Sequence, residues 1–85
     1  MPPDRVDTLL RAILESAVGQ RALPASLAAD TALLGAIPEL DSMAVLAVLT
    51  QIEEDFGLSI PDDEVSADIF LTYGDLAGFV RARLG

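Results

Sequence analysis

Hydrophobic positions recur with helical spacing in three blocks of the chain. In the first, Val6, Leu9, Leu10, Ile13, Leu14 and Ala17 follow at steps of three, one, three, one and three, which draws one apolar stripe down an amphipathic helix. Pro2 and Pro3 are tolerated around a first helical turn. Asp4 and Asp7 suit its positive end, Asp7 and Arg11 are spaced for an i,i+4 pair, and Gly19 offers a stop. The spacing predicts a helix over residues 4–18. The second block runs from about Ser42 to Phe56, with Gly57 behind it. Val45, Leu49, Ile52 and Phe56 form its core stripe, while Met43, Leu46, Ala47 and Thr50 fall on a partly different face. This helix is apolar around more of its circumference than one buried side requires. Either it is central to the fold, or part of its surface awaits a partner. In the last block Thr72 is the expected cap. Leu76, Phe79, Val80 and Leu84 form the stripe, and Arg81 and Arg83 sit at the favourable C-terminal end.

The connections differ in character. Residues 19–41 contain Pro24, Gly35 and Pro38, which break helical periodicity. Leu27, Leu33, Leu34 and Ile37 are too apolar for a flexible linker and are expected to anchor this long segment, with room for a single helical turn at Thr31-Ala32-Leu33-Leu34. After the second helix, Leu58-Ser59-Ile60-Pro61 reads as an extended crossing. Asp62-Asp63-Glu64 then opens a short third helix with Val65 and Ile69 one turn apart. An EF-hand loop counted from Asp62 would need Gly and Glu where the chain has Ala67 and Tyr73, so a solvated acidic face is the better reading. The expectation is an all-α fold: a small four-helix bundle, three longer helices plus one short helix, with a long first loop. Residues 1–85 read as a single domain.

Composition narrows the function. There is no Cys, so disulfides and cysteine-ligated zinc are excluded. There is no His either, and with the usual general base and the best protein nucleophile both missing, a free-standing enzyme is not expected. Fourteen acids against five arginines give a net charge of -9. That surface repels nucleic-acid phosphates and anionic membranes and favours proteins with basic patches. No run approaches the roughly 18 apolar residues of a membrane span, and Met1-Pro2-Pro3-Asp4-Arg5 lacks the layout of a signal peptide. The reading is a cytoplasmic monomer.

One stretch carries candidate chemistry: Glu39-Leu40-Asp41-Ser42-Met43, running into the second helix. Asp41 or Ser42 is a good N-cap. A serine there sits at the positive end of a helix, near unpaired N–H groups, where a phosphate is favoured. Two readings stand side by side: a plain cap, or a serine bearing a phosphate-linked prosthetic group. Glu53, Glu54 and Asp55, placed where the helix dipole disfavours them, suggest that the same helix binds partners.

Glu39-Leu40-Asp41-Ser42-Met43 resembles the Asp-Ser-Leu signature of acyl and peptidyl carrier proteins, with Met43 in place of Leu. Ile52-Glu53-Glu54-Asp55-Phe56-Gly57, Ile60-Pro61-Asp62-Asp63-Glu64 and Phe70-Leu71-Thr72-Tyr73-Gly74-Asp75-Leu76 resemble later segments of the family, in the same order and spacing. The resemblance implies that Ser42, with Asp41 before it, receives 4′-phosphopantetheine from coenzyme A through a phosphopantetheinyl transferase. It implies a carrier that catalyses nothing itself. Acyl- or aminoacyl-activating ligases and acyltransferase or synthase enzymes would meet it on the second helix, at Met43, Leu46, Ala47, Thr50, Glu53 and Glu54. Ala44 and Ala47 stand where carriers of fatty acid synthesis usually have acids, which points to a specialised pathway. The length reads as a discrete acyl carrier. An aminoacyl or peptidyl carrier, or an unmodified helical adaptor, is the alternative.

Overall fold

The apolar stripes fold as helices that meet in one core, mostly aliphatic, with Phe70 and Tyr73 also buried in it. The structure, a computed structural model, describes residues 5–24 and 26–84. Helix α1 spans Arg5–Val18 and buries Leu10, Ile13 and Leu14; its expected start at residue 4 lies outside the described residues. Gly19, at φ 91°, ends it. Helix α2 spans Ser42–Phe56 and helix α3 spans Tyr73–Leu84. α1 packs against both. Gly57 closes α2 in the left-handed conformation at φ 67°, its N–H donating to the Glu53 carbonyl, a turn that a residue without Cβ makes at little cost.

The stripes are rotated from their expected centres. In α2 the buried residues are Val48, Leu49 and Ile52, while Val45 and Phe56 pack half-buried at the edge. Val48 is fully buried in the same core cluster as the buried residues of α1, α3 and the long connection. In α3, Tyr73, Leu76, Ala77 and Val80 are buried. Phe79 is half-buried beneath the Arg83 guanidinium, 4.8 Å from its ring centre, and Leu84 is exposed. Thr72 caps α3 as expected, its Oγ1 accepting from the Asp75 N–H at 3.1 Å. The spacing that suggested an Asp7–Arg11 pair is used otherwise. Arg11 binds Glu15 at 2.9 Å and the Pro24 carbonyl at 2.9 Å. Asp7 accepts from the Tyr73 hydroxyl at 2.5 Å and from Arg81 at 3.3 Å, which joins α1 to α3.

The long connection is an ordered part of the core. Leu23, Leu33, Ile37 and Leu40 are buried, and Leu27 and Leu34 pack against them. The helical turn expected at Thr31-Ala32-Leu33-Leu34 is replaced by an extended crossing, in which Ala32 bridges Thr72 in antiparallel fashion. Leu33 and Leu34 donate to the Leu71 and Phe70 carbonyls at 2.9 Å each, and Tyr73 donates to Thr31 at 2.9 Å. These partners satisfy backbone groups that a lone helical turn would leave half unpaired. The crossing is tight at Gly74, whose N–H donates to the Ala29 carbonyl at 2.8 Å. A Cβ at Gly74 would stand 2.7 Å from that carbonyl oxygen. Gly74→Ala is therefore expected to destabilise the fold by about 1–3 kcal/mol, measured by thermal melt. An unchanged melt would show that the crossing can shift.

The short third helix resolves into two 3-10 turns, Asp62–Glu64 and Ala67–Phe70. Ser66 between them is extended, at φ -141° and ψ 161°, so Val65 packs on the core from the link between the turns and Ile69 from within the second turn. A segment this short gains too few hydrogen bonds to offset helix nucleation. The described residues form an all-helical fold of three helices and short 3-10 turns.

Candidate functional site

The site grows from the first turn of α2. Asp41 takes the cap: its Oδ1 accepts from the Ala44 N–H at 2.9 Å, and its carbonyl accepts from Val45 at 2.9 Å. Ser42 is thereby the first helical residue. It is exposed, and among the described residues nothing is hydrogen-bonded to its hydroxyl. Of the two readings of Asp41-Ser42, the structure gives the cap to Asp41 and leaves the serine hydroxyl facing solvent at the positive end of the helix.

Beside Ser42 lies a cleft of about 390 Å³ between the start of α2 and the 3-10 segment. Leu34, Val45, Leu46, Val65, Ala67 and Phe70 line it, with Ser42 and Ser66 at its edges. A second cleft of about 360 Å³ lies further along α2, lined by Leu46, Leu49, Thr50, Glu53, Ile60 and Val65. Leu46 and Val65 belong to both. Sequence reasoning did not single out Leu34, Val65 or Phe70 as cleft residues. The available signal was the run of apolar positions Val65, Ile69 and Phe70 in a segment too short for a full helix.

The expected partner face is on one exposed side of α2. Met43 is 79% exposed and Leu46 64%. Ala47, Thr50 and Glu54 are exposed beside them, and the Thr50 hydroxyl donates to the Leu46 carbonyl at 3.0 Å. Glu53 is placed differently: half-buried, with its Oε2 accepting from the Ile60 N–H at 2.9 Å, it anchors the chain leaving α2. The helix holds Glu53, Glu54 and Asp55 near its C-terminal end and no arginine, all five of which lie outside it, so its charged side chains are all acidic and gathered away from Ser42.

Comparison with known proteins gives this geometry a family. The sequence pattern of the family described as phosphopantetheine attachment site matches residues 8–80. The chain belongs to this family of phosphopantetheine-binding carrier proteins. Among solved structures, the solution NMR structure of a holo acyl carrier protein from Nitrosomonas europaea is similar. It is 44% identical, with a TM-score of 0.82, over 96% of this chain and 98% of that one. Comparison with curated proteins found no match. As a family member the chain is a carrier and not a catalyst, and its cofactor is covalent 4′-phosphopantetheine. The residues present fit such a group. An unengaged hydroxyl stands at a helix N-terminus, where a phosphodiester is favoured, and an apolar cleft lies next to it. Carriers of the family work with phosphopantetheinyl transferases and acyl-handling enzymes. No helix among the described residues is long and apolar enough to cross a membrane.

Proposed function

We propose that this protein is an acyl carrier whose phosphopantetheine is attached at Ser42, and that it presents acyl groups to the enzymes of a specialised pathway. The observation that carries the reading is the exposed, unengaged Ser42 hydroxyl at the start of α2, inside the matched span and beside an apolar cleft. When bound, the group supplies a terminal thiol, the only one available to a chain without cysteine, on which acyl groups are held as thioesters.

The chain's own residues do the rest. Asp41 fixes the helix start and with it the direction of the serine. Leu34 and Val45, backed by the buried Phe70, offer apolar surface to a cargo chain. This lining favours an acyl over an aminoacyl cargo, whose charged amine would lose hydration there without gaining a partner. Met43, Leu46, Ala47 and Thr50 form the surface for the transferase, the activating ligase and downstream acyltransferase or synthase enzymes. Glu54 steers basic partners towards it, and Glu53 contributes charge while fastening the next segment. Ala44 and Ala47 leave the first half of α2 without the acids usual in carriers of fatty acid synthesis, which supports a dedicated ligase in a specialised pathway.

Incubation of the unmodified protein with a transferase and coenzyme A is expected to add one phosphopantetheine to the intact mass, mapped by peptide fragmentation to Ser42. An unchanged mass, under conditions that modify a control carrier, would contradict the reading. Attachment elsewhere would contradict the site. The cargo on protein isolated from its native host tests the acyl class and the pathway.

A further inference from the structure

The stretch between α2 and α3 lies over the start of α2 as a strap. At one end the Ile60 N–H is held by Glu53, and the Ile60 side chain is buried. At the other, the Phe70 ring is fully buried, and the Phe70 and Leu71 carbonyls accept from Leu34 and Leu33. Between these ends there is no α-helix, only two 3-10 turns around the extended Ser66. Val65 and Ile69 are the half-buried anchors of this middle portion, and Val65, Ser66 and Ala67 wall the cleft beside Ser42. Among the described residues, one side-chain polar contact ties the middle of the strap to the rest of the fold. The Glu64 carboxylate accepts from the Arg83 guanidinium in the last turn of α3. Arg83 is itself held over the Phe79 ring. The hydrogen bond with Glu64 raises the guanidinium above its ordinary pKa, and an arginine is charged across the physiological range even without that shift.

We infer that the Glu64–Arg83 pair is a latch that holds the strap closed over the cleft beside Ser42, so that the last turn of α3 sets how often the cleft opens. The pair is partly exposed, and pairs of this kind shift an equilibrium by about two- to fivefold. That is enough to bias a local opening and too little to lock it. The strap is suited to open separately, having few buried contacts between two firmly tied ends. A closed wall shelters an apolar group in the cleft, and an open one releases it. This consequence for cargo rests on the acyl-carrier reading; the latch itself does not.

Native-state amide hydrogen exchange on the unmodified protein tests it. The Ile69 amide, bonded to the Ser66 carbonyl at 3.3 Å, reports on the strap, and the Ile52 amide in α2 reports on the whole fold. Glu64→Gln is expected to lower the protection of Ile69 by about two- to fivefold and to leave Ile52 unchanged. Asp63→Asn removes the same charge from the same turn, where the side chain is exposed and has no partner among the described residues, and is expected to change neither. In an Arg83→Gln background, Glu64→Gln should add nothing further. The inference is overturned if Glu64→Gln and Asp63→Asn behave alike. It is also overturned if the loss spreads equally to Ile52, or if the two latch substitutions act independently. Because the unmodified protein is used, none of these outcomes depends on whether Ser42 bears the arm.

Discussion

Ser42→Ala is expected to end phosphopantetheine attachment completely while leaving the thermal melt nearly where it was. The two halves have different causes. Attachment needs an oxygen nucleophile at that position, and alanine offers none. Neighbouring hydroxyls are poor substitutes: Thr50 lies two turns along α2 and donates to the Leu46 carbonyl, and Ser66 sits across the cleft on another segment. Stability hardly depends on the Ser42 hydroxyl because Asp41 holds the cap. Loss of a working cap costs typically about 1 kcal/mol. Here the cap stays and alanine is a good helix former, so a loss at or below about 0.5 kcal/mol is expected, a fall of roughly 2–4 °C for a domain this size. Asp41→Ala should show the opposite pattern, with a loss of about 1 kcal/mol while the hydroxyl remains. Intact mass after treatment with transferase and coenzyme A, read beside a thermal melt, checks both variants. Modification of the Ser42→Ala protein would move the attachment elsewhere. Its unfolding would make Ser42 a structural residue.

The helices, and with them the position of Ser42 at the start of α2, were legible in the sequence for physical reasons that do not extend to the segments between them. α1 and α2 are long enough for the 3.6-residue period to repeat, and α2 is bounded by an acid that caps and a glycine that stops. The same period put more apolar surface on α2 than one buried face could use and left two explanations open, a central helix or an uncovered face; the exposure of Met43 and Leu46 decides for the second. The centre of the buried stripe was harder to place: Val48 is fully buried, and no pattern within α2, apolar on so many sides, singles it out. The pairing of Thr31, Leu33 and Leu34 with Phe70, Leu71 and Tyr73 joins positions about forty apart, so no local window contains both partners. The acids Asp62, Asp63 and Glu64 suggested a helix start. The segment forms a pair of 3-10 turns instead, because Phe70 and Ile60 fix the ends of the strap by burial and the middle is too short to sustain a helix. The Asp7–Tyr73 bond likewise spans most of the chain. Asp7 had a nearer apparent partner in Arg11, and only the packing of α1 on α3 brings the tyrosine closer.

Met43→Ala should weaken productive binding of the transferase or ligase by about 1–2 kcal/mol, the scale of a moderate interface contact, or roughly 5- to 30-fold in loading efficiency at limiting protein. The side chain is 79% exposed one residue from Ser42, so a partner that reaches the hydroxyl must also cover it. Its removal takes little from the fold, and the melt should move by less than about 0.5 kcal/mol, as for surface positions generally. Ile52→Ala on the opposite face of α2 is the contrast. That side chain is fully buried, and its truncation should cost about 2–5 kcal/mol of stability while sparing the loading rate of whatever remains folded. Leu46→Ala is a mixed case, because Leu46 is exposed and also stands between the two clefts. It should weaken partner binding as Met43→Ala does and also let cargo spread from one cleft into the other. Met43 therefore decides the partner face and Leu46 does not. Glu54→Lys should act on encounter, slowing association with a basic partner by an amount that shrinks at high salt. Glu53→Lys would also break the anchor at Ile60, so its effect should persist in salt. Loading kinetics at two ionic strengths, with a melt for every variant, separates these behaviours. If Met43→Ala loads at the parental rate and melts as the parent does, partners approach Ser42 from another side, and the exposed face of α2 has to be explained without them.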